Sequence, residues 1–233
     1  MNNDNSTALL IFIRSEVIEL QVKQFFEHDY SRSKAFISLL NIKIKTEAQA
    51  TKLPVFFSNH IHENSFVDKY KRAFQDLFNI GYQRVICVGN DIPQISSNTL
   101  LEIEELLQCN DLVSARTKRG GIAFLGLTKE GFDCFDFHKI AWQNSGLLDT
   151  LYQELQEKQL NYYLFDQVFL EINTAKDTRF FLEQIEELEM STFCTSQFLN
   201  LCIQRQTLVY QNLELTQDFI QKAEAYRGPP VTM

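Results

Sequence analysis

Asp91 is the residue whose position points most directly to chemistry. It falls in the run Val85-Ile86-Cys87-Val88-Gly89-Asn90-Asp91-Ile92-Pro93, where a buried strand ends in a glycine and an acid. A carboxylate at the carboxyl edge of a sheet can ligate a divalent ion that bridges nucleotide phosphates. The same Asn, Asp and Pro also make an ordinary turn. Lys118-Arg119-Gly120-Gly121 is a second cluster. Two cations on a turn can neutralise phosphate oxygens, Arg119 with a two-donor fork and the glycines by admitting a close backbone approach. The competing reading is a solvated hairpin tip. His60-Ile61-His62 supplies two imidazoles, but no third ligand is placed by spacing, so the pair defines no metal site. No nucleophile, general base and oxyanion set can be assembled from the residue pattern.

The elements that must position these groups alternate. Ala8 to Ile13 and Arg84 to Val88 are short continuous apolar runs of the kind buried in the middle of a parallel sheet. Pro54 to Phe57 reads as a strand after a helix in the region 32–50. Phe66, Tyr70, Ala73, Phe74, Leu77 and Phe78 recur at helical spacing, and Gly81 stops that helix. Leu100, Ile103 and Leu107 mark a further helix, with Ser96 and Ser97 as caps. Asp111 to Ala115 and Ile122 to Leu127 read as strands flanking the Lys118–Gly121 turn. Leu147, Leu148, Leu151 and Leu155 define another helix, Tyr162 to Ile172 an extended segment, and Thr174-x-x-Asp177 a helix start. Such alternation predicts a mainly parallel sheet covered on both faces, with ligands beyond the strands' carboxyl ends. From about residue 180 only helical stripes follow.

Composition narrows the function classes. A chain of 233 residues with 45% hydrophobic residues, 20 Phe, 8 Gly and 4 Pro can bury a sizeable core. Its formal charge of −8 argues against nucleic acid and anionic membrane surfaces as partners. The apolar run Ala8 to Ile13 is too short for a membrane span or signal core, so a cytoplasmic protein is expected. Five cysteines without a CxxC pair read as reduced thiols, with Cys87 buried.

The motifs, taken in order, resemble a bacterial group of uncharacterised glycosyltransferase-A-like, nucleotide-diphosphosugar-transferase-like proteins. Val88 to Pro93 is similar to the family's Ile-Gly-Ser/Thr-Asp-x-Pro. Gly120-Gly121-Ile122-Ala123-Phe124-Leu125-Gly126-Leu127 is similar to Asp-Gly-Gly-Tyr-Tyr-Leu-Ile-Gly-Leu, with Arg119 in place of the Asp. Trp142, followed by Leu148, Thr150 and Leu151, resembles a Trp-Ser/Thr segment, and Glu171 to Asp177 resembles Asp-Val-Asp-Thr-Pro-x-Asp. The family's Pro/Gly-rich first loop, ending Val-Lys-Thr-Arg, is matched only by Arg14 and the Val22-Lys23 pair. Ser15 to Leu20 contains neither Gly nor Pro, which disfavours a backbone cradle for phosphate.

The resemblance, which spans roughly residues 8 to 182, implies an α/β, Rossmann-like GT-A fold over residues 1–182. The helical stripes beyond it are expected to form a C-terminal extension at 183–233 packed on that domain, their Phe, Leu and Tyr side chains covered either in a homodimer or by intramolecular packing alone. The resemblance also implies a glycosyltransferase-like protein that binds a nucleotide or nucleotide sugar, glycosyl transfer being favoured over nucleotidyl transfer because the phosphate loop is poor. Arg14, Lys23, Asp91, Lys118, Arg119, Gly120 and Gly121 are the expected nucleotide or phosphate contacts, and Asp91 with Glu171 the expected metal ligands. Asn173 replaces a further acid, so dependence on Mg²⁺ or Mn²⁺ is expected to be weak or absent. Asp91, Arg119 and Glu171 are expected to converge on one cleft, and Asp177 to cap the helix from Thr174. The alternative is a non-catalytic binding or assembly protein that keeps the fold.

Overall fold

The computed structural model describes residues 6–59, 61 and 63–184. Six strands form one sheet: β1 (Thr7–Ile11), β2 (Val55–Phe57), β3 (Arg84–Val88), β4 (Leu112–Thr117), β5 (Ile122–Thr128) and β6 (Tyr162–Phe169). Their spatial order is β2-β1-β3-β5-β4-β6, and every strand but β5 runs in the same direction. β5 is antiparallel because the turn after β4 folds it straight back into the gap beside β3.

The fully buried strands β1 and β3 explain the continuous apolar runs. Ala8, Leu10, Val85 and Cys87 join the core on one face, while Leu9, Ile11, Ile86 and Val88 join the core on the other. Successive side chains of a strand point to opposite faces, so a sheet covered on both sides needs apolar residues at every position. The first face is covered by α3 (Phe66–Asn79), α5 (Lys129–Cys134), a 3₁₀ turn (Phe137–Lys139) and α6 (Leu147–Glu157), through Phe74, Phe132, Phe137 and Leu151. The second is covered by α2 (Tyr30–Ala50) and α4 (Ser97–Leu106), through Ile44 and Ile103. A third cluster, with Phe25, Phe36 and Phe181 at its centre, joins α2 to α7 (Ala175–Gln184) beside α1 (Glu16–Val22).

Local chemistry sets the boundaries. Ser65 Oγ accepts from Asp68 N–H at 3.0 Å and donates to its carboxylate at 2.6 Å, which fixes the start of α3. That helix ends at Gly81, whose φ of +107° lets Gly81 N–H reach Phe78 O at 3.0 Å and Tyr82 N–H reach Leu77 O at 3.3 Å. Ser96 caps α4, accepting from Thr99 N–H at 3.2 Å. Thr174 and Asp177 cap α7 reciprocally: Thr174 N–H donates to Asp177 at 2.9 Å and Asp177 N–H donates to Thr174 Oγ1 at 3.2 Å. α1 was not expected from the sequence. Without Gly or Pro the segment after β1 forms a helical turn instead of an open loop, capped weakly by Ser15.

α7 is described as far as Gln184. The helices and homodimer surface expected beyond it lie outside the described residues, as do His60 and His62. Among the described residues no helix is long and apolar enough to cross a membrane. Cys87 is buried, and Cys109 and Cys134 are exposed, all as free thiols.

One close approach tests this packing. A Cβ built on Gly131 of α5 would lie 2.5 Å from the carbonyl oxygen of Asp111, which is backbone and cannot swing away. Gly131→Ala is expected to destabilise the chain by about 1–3 kcal/mol, read as a lowered midpoint in urea with unchanged slope. Unaltered stability would show that α5 is free to shift from β4.

Candidate functional site

A cleft of about 400 Å³ opens at the carboxyl edge of the sheet. β1 delivers Phe12 and Arg14 to it, β3 delivers Gly89, Asn90 and Asp91, and the chain beyond β6 delivers Glu171 and Asn173. Because β5 is antiparallel, its beginning, Gly121 and Ile122, reaches the same edge.

At the floor Lys23 bridges two acids. Its Nζ lies 3.0 Å from Asp91 Oδ2 and 3.1 Å from Glu19 Oε1, one turn earlier on α1. Glu19 is 3% exposed, so a carboxylate there requires partners. Its other oxygen accepts from Asn90 Nδ2 at 3.0 Å, and the same amide donates to Asn41 Oδ1 at 2.9 Å. Burial alone would lower the affinity of Lys23 for its proton, but the carboxylates of Asp91 and Glu19 outweigh it and hold the ammonium above its ordinary pKa. Gly89 makes room for this arrangement: a Cβ there would meet Asp91 Oδ1 at 2.5 Å and push the carboxylate off Lys23.

Glu171 sits beside this group. Ile172 N–H donates to Asp91 O at 2.9 Å, tying the segment after β6 to the loop after β3. Glu171 accepts from Thr117 Oγ1 at 3.2 Å and, closely, from the Asn173 amide. Its pKa is raised, first by burial and then by the charge of Asp91; the two hydrogen bonds and Lys23 oppose the shift without cancelling it.

The cleft therefore brings together Arg14, Lys23, Asp91, Gly121 and Glu171 of the residues singled out in the sequence. Lys118 and Arg119 do not line it. Arg119 pairs with Asp177 at 2.8 Å, and Lys118 lies over the Phe180 ring with its Nζ 4.4 Å from the centroid. Gly120 serves the turn, with φ +82°. The expected convergence thus holds for Asp91 and Glu171 but leaves Arg119 attached to the α7 cap. Glu19 and Asn90 were missed as site residues. Glu19 was detectable, since Glu and Lys four residues apart face each other only if the segment is helical.

The donor set fits a divalent ion poorly. Asp91 is engaged by Lys23, the Glu171 oxygens already accept from Thr117 and Asn173, and Asn173 brings an amide where the resemblance has a third acid. Among the described residues no three His, Cys, Asp or Glu side chains group closely enough to hold a metal ion.

Sheet order and edge site define a Rossmann-like, GT-A-type fold. A family of bacterial proteins, described as an uncharacterized protein conserved in bacteria, matches residues 44–144. A proposed nucleotide-diphospho-sugar transferase from Desulfovibrio desulfuricans G20 superposes with a TM-score of 0.70 at 15% identity, covering 88% of this chain and 97% of its own. A 4-diphosphocytidyl-2C-methyl-D-erythritol synthase from Anaerococcus prevotii DSM 20548 gives 0.51 at 9% identity, covering 79% and 98%. In sequence, a 2-phospho-L-lactate guanylyltransferase from Methanocaldococcus jannaschii is 27% identical over 131 residues, 52% of this chain. The match spans about half, 54%, of that relative's length. The resemblance drawn from the ordered motifs and the structural superpositions agree on the fold.

Glu171 yields a pH prediction. A carboxyl whose pKa rises on folding from 4.5 favours the folded chain in acid and loses that contribution as pH rises through the raised value. Glu171→Gln is expected to raise the melting temperature at pH 7, the gain over the parent shrinking towards zero below pH 4.5. A gain that persists in acid would assign the effect to packing instead of ionisation.

Proposed function

We propose that the cleft binds a nucleotide or nucleotide sugar and that Lys23, with Arg14, supplies the positive charge that meets its diphosphate. The observation that carries this reading is the Lys23 ammonium held at the cleft floor by Asp91 and Glu19. An ammonium has three donors. Two are directed at these carboxylates, and the third is available to a phosphate oxygen. Arg14, exposed at the cleft, adds a two-donor fork at the exit of β1.

In glycosyl transfer the departing nucleoside diphosphate gains negative charge, and fixed cations stabilise it without reorganising. Nucleotidyl transfer also needs a triphosphate cradle, and the segment after β1 is helical where a glycine loop would provide one. The fold alone supports nucleotide binding; transfer of a glycosyl group to an unidentified acceptor is the finer proposal, and a cytoplasmic location accompanies it. The second reading is a non-catalytic binding protein. It is favoured by the pairing of the single Lys23 ammonium with two carboxylates, Glu19 and Asp91, contacts that a ligand must partly displace.

Calorimetric titration with nucleoside diphosphates and their sugar conjugates, with and without a chelator, tests the proposal. Binding is expected to change less than about twofold on chelation. Arg14→Ala is expected to weaken it by about tenfold, about 1.4 kcal/mol, while Arg119→Ala leaves it nearly unchanged. Affinity that vanishes with the metal would contradict the role given to Lys23. Binding without turnover in ³¹P NMR, whatever the acceptor mixture, would favour the non-catalytic reading.

A further inference from the structure

The diphosphate reading leaves half of the cleft unused. On the α3 side of the sheet its wall is made of Phe12, Phe66, Tyr70, Trp142 and Leu147. These residues come from the exit of β1, the first turns of α3 and the stretch leading into α6, and ring contacts lock them together. Phe66 stacks on Tyr70 at 5.4 Å between centroids, while Phe12 and Trp142 meet Tyr70 edge-on at 4.9 and 5.2 Å. Phe12, Phe66 and Trp142 remain only partly buried, although each packs against the core.

The polar tips of this wall are already engaged. Trp142 Nε1 donates to Phe137 O at 2.6 Å, and the Tyr70 hydroxyl is hydrogen-bonded to the Cys87 thiol. What these five side chains offer a ligand is therefore hydrocarbon and ring surface. A sugar could lay only its C–H face on them and would gain no hydrogen bond for its hydroxyls from these side chains, whereas a flat aromatic ring can use its whole face. Charge sets the other requirement. Lys69 Nζ lies 5.5 Å from the Phe12 centroid and experiences the charge of Arg14, so two cations stand at the border of the aromatic surface.

We infer that this wall is a subsite for an aromatic ring carried on a phosphate, the ring resting on Phe66 and Trp142 and the phosphate directed to Arg14 and Lys23. The inference rests on the phosphate binding proposed above. It adds that one end of the natural ligand, donor or acceptor, is an aromatic ring recognised by its faces, with no side-chain hydrogen bond to its edge from this wall.

Trp142 is the only tryptophan in the chain, so its fluorescence reports this subsite without requiring turnover. Phenyl phosphate, glucose 1-phosphate and inorganic phosphate are titrated at equal ionic strength. Phenyl phosphate is expected to change Trp142 emission and to bind about tenfold more tightly than the other two, the scale of a partly buried ring. Phe66→Ala is expected to remove most of that advantage while leaving inorganic phosphate binding unchanged. Phe66→Leu, which keeps apolar bulk in the core, guards against loss of the fold and is expected to reduce the advantage less. Equal affinity for all three probes, or a glucose 1-phosphate response as large as that of phenyl phosphate, would overturn the subsite. If inorganic phosphate fails to bind but phenyl phosphate still alters Trp142 in a Phe66-dependent way, the phosphate reading fails and the ring subsite stands.

Discussion

The bridge from Glu19 through Lys23 to Asp91 is the interaction on which the edge of this fold is built. Three charges lie together where little water reaches them, and each alone would carry a desolvation cost of several kcal/mol. Pairing at 3.0 and 3.1 Å offsets that cost and explains why the lysine holds its proton more tightly, not less, on burial. The bridge also joins elements distant in sequence. It fastens α1 to the loop after β3, Asn90 extends it to α2, and Ile172 extends it to the segment after β6. Removing Lys23 would leave both carboxylates without a cation, so the geometry of the cleft and the stability of its floor are one property.

This arrangement changes how the altered motifs are understood. In isolation, a first loop without glycine and an acid replaced by Asn173 read as losses. Together they are consistent: a helix in place of the loop presents Glu19 and Lys23 one turn apart, and the ammonium stands where a sparse carboxylate set would otherwise hold a divalent ion weakly. The same economy of charge appears at the other end of the site. Arg119 neutralises Asp177, which accepts from Thr174 and Asn173 at the start of α7, so the cation in the turn stabilises the helix cap that positions the segment carrying Glu171.

Much of the scaffold was legible because its signals are local. Apolar runs at Ala8 and Val85, the Ser96 and Thr174 caps, and the Gly81 stop each depend on neighbours within a few residues, and each corresponds to an observed element. Asp91 was legible for the same reason, as the acid closing a buried strand. The position of Arg119 was not, because whether a turn cation faces the cleft or α7 depends on the twist of the β4–β5 hairpin and on Asp177, 58 residues away. The aromatic wall was hidden differently. Phe66 and Tyr70 satisfy helical spacing as core residues, and periodicity cannot reveal that Phe66 is only half covered and shares a cleft with Trp142.

The central claim is that a lysine, and not a metal ion, forms the positive floor of a diphosphate site. A crystal structure of the chain with a nucleoside diphosphate and Mn²⁺ tests it most directly, because Mn²⁺ is unmistakable in anomalous maps. The account predicts a phosphate oxygen about 3 Å from Lys23 Nζ, with the contact to Asp91 retained and no anomalous peak between Asp91 and Glu171. A Mn²⁺ ion bridging those two carboxylates to the phosphates, with Lys23 displaced, would contradict it.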